Sequence, residues 1–258
     1  MSSNLQLAIA NLTSPPVLAF ALGVLAVMFK ANIKLPDAAY QLITTYLLFA
    51  IGLKGGVALA NSDASQLIGP ILACIALGIT LPMLAFYFLR VLTPIEQLDR
   101  GAIAAHYGST SLVTFAAALS FLDAEKIAYE GFMPTLLTVL EIPGIIVGLL
   151  LAVRKSGDGA NLRKSLHEIL TSKSIVLLFG GLVIGVITGP TGFIKVEPLF
   201  AGLYQGILTL FLLDMGVLAG AHMKSIRGSG IGLATFALTF PIMSGSIGVS
   251  TGHLIGLS

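Results

Sequence analysis

The stretch from Gly101 to Thr114, GAIAAHYGSTSLVT, places a histidine, a glycine and three consecutive hydroxyl residues inside an otherwise apolar run. Glycine lowers the cost of an unwound turn, and hydroxyls can bond their own backbone. Gly108, Ser109, Thr110 and Ser111 therefore predict a break in a helix. A helix restarting at Ser109 would turn free N–H groups and the positive end of its dipole toward an anion. Hydroxyl and carbonyl oxygens at the same break, with Thr110 and Thr114 among the hydroxyls, are donors for a hard cation such as Na⁺. The competing reading is close helix packing through small residues.

Two acids lie in equally apolar surroundings: Glu141 in Leu140-Glu141-Ile142-Pro143-Gly144, and Asp214 in Leu213-Asp214-Met215-Gly216. A charge at the centre of a bilayer costs about 2.5–3.5 kcal/mol on insertion scales, so such acids face a protein interior or a wet cavity. Each is a candidate cation ligand, proton relay or gate. Each could equally be a protonated carboxyl bonded to a neighbouring helix. Pro143 is expected to break the helix beside Glu141. His106, two residues before the break, could titrate near neutral pH, although a lone histidine in a span more often serves as a packed hydrogen-bonding residue. Lys54 stands near the outer end of its segment, where its ammonium can snorkel to the interface. The sequence has no Walker loop, CxxC, HExxH or nucleophile elbow, which argues against ATP-driven transport and intramembrane hydrolysis. We expect no catalytic residue and no cofactor beyond a coupling ion.

The elements that position these residues follow from composition. The 258 residues are 56% hydrophobic and 10% charged, where soluble domains carry about 25% charged residues. A net charge of +2 is too balanced for a nucleic-acid binder. Eight apolar segments, near 14–30, 37–60, 66–92, 101–122, 131–153, 172–189, 199–221 and 229–254, predict an all-α polytopic membrane protein. Joints after the odd-numbered segments hold 11 of the 14 Lys and Arg residues. The N-terminus is therefore expected outside and the 154–173 loop in the cytoplasm, with the chain in the cytoplasmic (inner) membrane.

Sliding the chain by 162 residues superposes Gly23-Val24 on Gly185-Val186, Pro36 on Pro198, Ala39 on Ala201, and Leu48-Phe49 on Leu210-Phe211. The first copy has five spans, an odd number, so the second must enter with opposite topology, as in the inverted repeats of secondary transporters. The expected layout is a first five-span repeat over 1–153, a cytoplasmic linker over 154–173, and a second repeat over 174–258. That second repeat is expected to be truncated after about three spans.

Leu12 to Pro15, Ile51 to Ala58 with Asn61-Ser62, Gly108 to Ser111, Lys126 to Glu130 and Glu141-Ile142-Pro143 together resemble the sodium-dependent bicarbonate transporter family first recognised in cyanobacteria. The resemblance implies ten spans in two inverted repeats, a gate built from spans 1, 2, 6 and 7, and a substrate-bearing core that moves like an elevator. It also implies a homotrimer, and it makes Gly108 to Ser111 half of a bicarbonate and sodium site. The family's second half-site would fall beyond Ser258. In cyanobacterial members a PII-like regulator acts on a longer cytoplasmic loop, so dependence on one is not expected here. The function implied is sodium-coupled symport of bicarbonate or a similar small monoanion. The alternatives are proton-coupled transport of another small carboxylate through Glu141, or a non-transporting remnant that associates with full-length subunits.

Overall fold

The structure is a computed structural model that describes residues 12–31, 33–109, 111–153, 170–226 and 230–257, with Ile9 and His167. The described residues form helices and no strands. In chain order these are α1 (Pro15–Met28), α2 (Asp37–Ala60), α3 (Ala64–Leu92), α4 (Gln97–Gly108), α5 (Leu112–Ala124), α6 (Met133–Val153), α7 (Lys173–Phe193), α8 (Tyr204–Ile226) and α9 (Gly230–Leu254). A short π-helical stretch, Pro198–Gly202, leads into α8.

Their limits have local causes. Pro15 opens α1, where the missing N–H costs nothing. Pro36 precedes α2, and Asp37 places an acid in its first turn. Ser172 caps α7 by accepting from the Ile175 N–H. Within α7 the ladder is interrupted at Gly189, whose φ of 56° lies in the left-handed region, just before Pro190. The regular part of α7 therefore ends where the apolar segment was expected to end.

Six helices (α2, α3, α6, α7, α8 and α9) are each long and apolar enough to cross a membrane. With its 14 residues, α1 rises only about 21 Å, short of a hydrocarbon core of about 30 Å. The fourth expected span is divided into α4 and α5. Pro143 does not break α6, which continues through it; interior prolines are tolerated in membrane helices when neighbouring groups re-satisfy the backbone.

The helices pack in two groups. α2 lies against α7, and α1 against α8; α6 packs on α3 and α4, while α9 contacts α3. α5 leans on α8, between the groups. Glycines bring the paired backbones together in the manner of small-residue membrane interfaces. A Cβ added at Gly56 would lie 2.0 Å from the Leu182 carbonyl oxygen, and one at Gly185 would lie 2.3 Å from that of Leu53. In the α1–α8 pair a Cβ at Gly216 would meet the Phe20 oxygen at 2.1 Å, and one at Gly23 the Leu213 oxygen at 2.2 Å. The largest buried cluster, with Leu47, Ile51, Ala116, Leu208 and Phe211, fills the space between α2, α5 and α8.

Candidate functional site

The break between α4 and α5 is present, and its register differs from the sequence expectation. Ser109 does not start the second helix. Its N–H donates to the Ala105 carbonyl at 3.1 Å and so continues the ladder of α4, while its Oγ donates to the His106 carbonyl at 3.2 Å. Ser111 is the true cap. It has extended backbone, and its Oγ accepts the Thr114 N–H at 3.3 Å. Thr114 is thereby engaged through its backbone, and its side chain is exposed. In the first turn of α5 the N–H groups of Leu112 and Val113 have no intrahelical acceptor, as at any helix start. The donors offered to an anion thus sit two to three residues later than expected. Thr110 lies outside the described residues.

Two neighbours hold the break from opposite sides. Gly108 is buried against Pro82 of α3, and a Cβ there would meet the proline ring carbons at 2.6–2.8 Å. Gly144 of α6 lies flush against the break itself. Its Cβ would come within 2.1 Å of the Gly108 oxygen and 2.7 Å of the Ser109 nitrogen. Farther along the same face Gly148 meets the Ala105 backbone, and Gly101 of α4 meets Ala152. Pro82 and Gly144 were not singled out from the sequence; the signal was available in a mid-span proline and in a glycine directly after Pro143. Glu141 stands on α6 within a turn of Gly144, and its side chain lies outside the described residues. No group of three or more His, Cys, Asp or Glu that could hold a metal ion occurs among the described residues.

Asp214 is engaged elsewhere. Its carboxyl is buried on α8 and accepts the Leu35 backbone N–H at 3.0 Å. Leu35 precedes Pro36, so it is held out of helical geometry and its N–H needs a partner from another element. The described contact of Asp214 is therefore a tether for the α1–α2 joint.

Three cavities flank the region, one at the first end of α2 and two at the other. One, of about 870 Å³, is lined by Tyr40, Gln41 and Thr44 of α2, by His106 of α4, and by Lys173 and Ser174 of α7. Two adjoining cavities, of about 230 and 510 Å³, share Ser120, Asp123 and Gln205 at the other end. There the Ser120 hydroxyl donates to Gln205 Oε1 at 2.7 Å, linking α5 to α8. Lys54 lines the smaller cavity, with its ammonium 5.3 Å from the Tyr204 ring centre, a cation–π distance. In the α5–α6 joint, burial and the hydrogen bond to Asp123 push the Tyr129 phenol up to about 12. The apolar cluster of Leu47, Ile51, Ala116, Leu208 and Phe211 lies between the two ends.

A chain of membrane-length apolar helices, one of them interrupted at a capped break beside internal cavities, is a multi-pass membrane protein. Residues 15–258 match the Na⁺-dependent bicarbonate transporter superfamily, and the chain belongs to that family. A comparison with curated proteins returns no match.

Proposed function

We propose that this protein carries bicarbonate, or a similar small monoanion, into the cell together with Na⁺. The observation that carries the reading is the α4–α5 break. It brings two opposite helix ends together: the carbonyl end of α4, favourable to a cation, and the N–H end of α5, favourable to an anion. Na⁺ bound first, by oxygens of the break with Thr110, Thr114 and Glu141 as candidate ligands, offsets part of the cost of bringing an anion into low dielectric. Gly108, Ser109 and Ser111 form the anion side, to which Thr110 is added from the sequence, with the Leu112 and Val113 N–H groups as its donors. No covalent step is needed, as membership of a transporter family implies; the sodium gradient is the energy source.

Inverted repeats belong to this reading, and the paired glycines support it. Gly23 and Gly185 stand 162 residues apart, as do Phe20 and Leu182, while Gly56 and Gly216, Leu53 and Leu213 stand 160 apart. Exchanging the copies turns the α1–α8 contact into the α7–α2 contact, oxygen for oxygen. The same exchange pairs Lys54 with Asp214. The division into α1, α2, α7, α8 and α3, α4, α6, α9, with cavities at both ends of their boundary, fits movement of one group against the other. A homotrimer, and insertion in the cytoplasmic membrane with the N-terminus outside, complete the proposal.

The test is labelled-bicarbonate uptake by proteoliposomes with and without an inward sodium gradient. Uptake should require the gradient. Uptake that instead follows a pH gradient and is blocked by formate or acetate would replace this reading with proton-coupled carboxylate transport.

A further inference from the structure

We infer that the 870 Å³ cavity is an anion-selecting vestibule, with Lys173 as its charge, through which the break exchanges a monoanion with the cytoplasm. This rests on the function proposed above. Lys173 Nζ donates to the Gln41 carbonyl at 2.9 Å and to Thr44 Oγ1 at 3.2 Å. Both partners are neutral, so they hold the ammonium in place without cancelling its charge, and one of its three N–H groups remains for water or a guest. No Asp or Glu lines the cavity among the described residues. Among the described residues of its wall, the other titratable groups are Tyr40 and His106. The His106 Nδ1 lies 3.1 Å from the Ala102 carbonyl, which can only accept, so that nitrogen carries the proton. His106, in the cavity wall, stands two residues before Gly108 and so lies about 3 Å from it along the axis of α4.

A wet cavity with low-dielectric walls and one sign of charge focuses its field and raises the local concentration of the opposite ion. The competing role for Lys173 is a staple between α7 and α2, which leaves the potential of the cavity irrelevant.

The experiment reads that potential without relying on transport. In a Cys74→Ala background, Ser174→Cys places a thiol in the cavity wall. Inside-out membrane vesicles are treated with a sulfonate-bearing and a trimethylammonium-bearing methanethiosulfonate, and the ratio of their reaction rates is measured. With Lys173 the anionic reagent should be favoured. Lys173→Met should lower the ratio about three- to tenfold, a modest steering effect, and Lys173→Arg should preserve it. Raising the ionic strength should lower the ratio with Lys173 still present, a check that needs no change at that residue. An unreactive thiol, or a ratio indifferent to Lys173→Met and to salt, overturns the vestibule. Sodium-driven uptake by Lys173→Met should fall by a similar factor at unchanged protein level; wild-type uptake in that variant overturns its place on the anion's path. A ratio that depends on Lys173 in a protein that carries no bicarbonate supports the vestibule and removes the substrate reading alone.

Discussion

Gly144→Ala is the sharpest perturbation of the break, because the added methyl meets backbone atoms on the other side. Its Cβ would lie 2.1 Å from the Gly108 oxygen, 2.3 Å from the Gly108 carbonyl carbon and 2.7 Å from the Ser109 nitrogen. Ordinary contact begins near 3.4 Å, so α6 and the break must separate by about 1 Å. Overpacking of this kind costs about 1–3 kcal/mol, while alanine returns about 0.5–1 kcal/mol to the helix itself. The fold should therefore survive with a small net loss. A displacement of about 1 Å in a positioned site can cost about a hundredfold. We expect sodium-driven bicarbonate uptake to fall ten- to a hundredfold in proteoliposomes containing equal amounts of folded protein. Two controls set the scale. Gly180→Ala has nothing within 4 Å of the new Cβ and should transport as the wild type does. Gly148→Ala is equally crowded, 2.4 Å from the Ala105 backbone, but lies one turn away from the break and should cost less. Wild-type rate and half-saturation in Gly144→Ala, or an equal loss in Gly144→Ala and Gly148→Ala, would refute the assignment of the break as the site.

Ser111→Ala removes the cap on the Thr114 N–H; it should lower thermal stability by about 1 kcal/mol and weaken bicarbonate half-saturation several-fold, measured in the same vesicles. Asp214→Asn keeps an acceptor for the Leu35 N–H and should leave both the melting temperature and the sodium dependence near wild type. Asp214→Leu leaves that N–H unpaired and should cost about 1–3 kcal/mol; a raised sodium requirement in Asp214→Asn would instead make the acid a coupling residue. Cysteines introduced over 2–8 should be labelled by impermeant reagents only from outside, and those over 156–170 only from the cytoplasm. Labelling of both regions from one face would contradict the opposite topology of the second repeat.

The long helices were legible because their limits are written in punctuation. Pro36 and the polar joint Asn61-Ser62-Asp63 bound α2, and the expected 37–60 is the helix observed. The break was legible as a break but not in register. Ser109 and Ser111 are both good caps by residue type, and only the hydrogen bond that each one makes distinguishes the end of α4 from the start of α5. That Asp214 could bond a neighbouring element was legible, but which element was not. Its partner lies 179 positions away in the chain, and a buried acid beside a span looks the same whether it meets a cation or a stranded N–H. The walls of the break escaped notice for a related reason: Pro82 fills the space that Gly108 leaves and Gly144 acts through the absence of bulk, and composition alone does not say which glycine of an apolar run faces a backbone or a ring.

The charged groups at the boundary between the two helix groups do different work at its two ends. Lys54 and Asp214 occupy equivalent positions under the 160-residue relation, yet they carry opposite charge and different work. Lys54 sits in a cavity wall over Tyr204, whereas Asp214 is buried and spent on the Leu35 N–H. A symmetric pair of lysines would place one cation at each end, and a symmetric pair of acids would repel a monoanion from both. Lys54 stands at one mouth, Asp214 is held by the Leu35 N–H, and Lys173 of α7 supplies a positive charge at the other mouth from outside the 160-residue relation. The two mouths differ in charge: Lys173 lines one without an acid among the described residues, whereas Lys54 shares the other with Asp123 and Glu125. They lie on opposite sides of the apolar cluster that includes Leu47, Ile51, Ala116, Leu208 and Phe211. That arrangement suits a carrier, which must accept its substrate at each face without letting it leak between them.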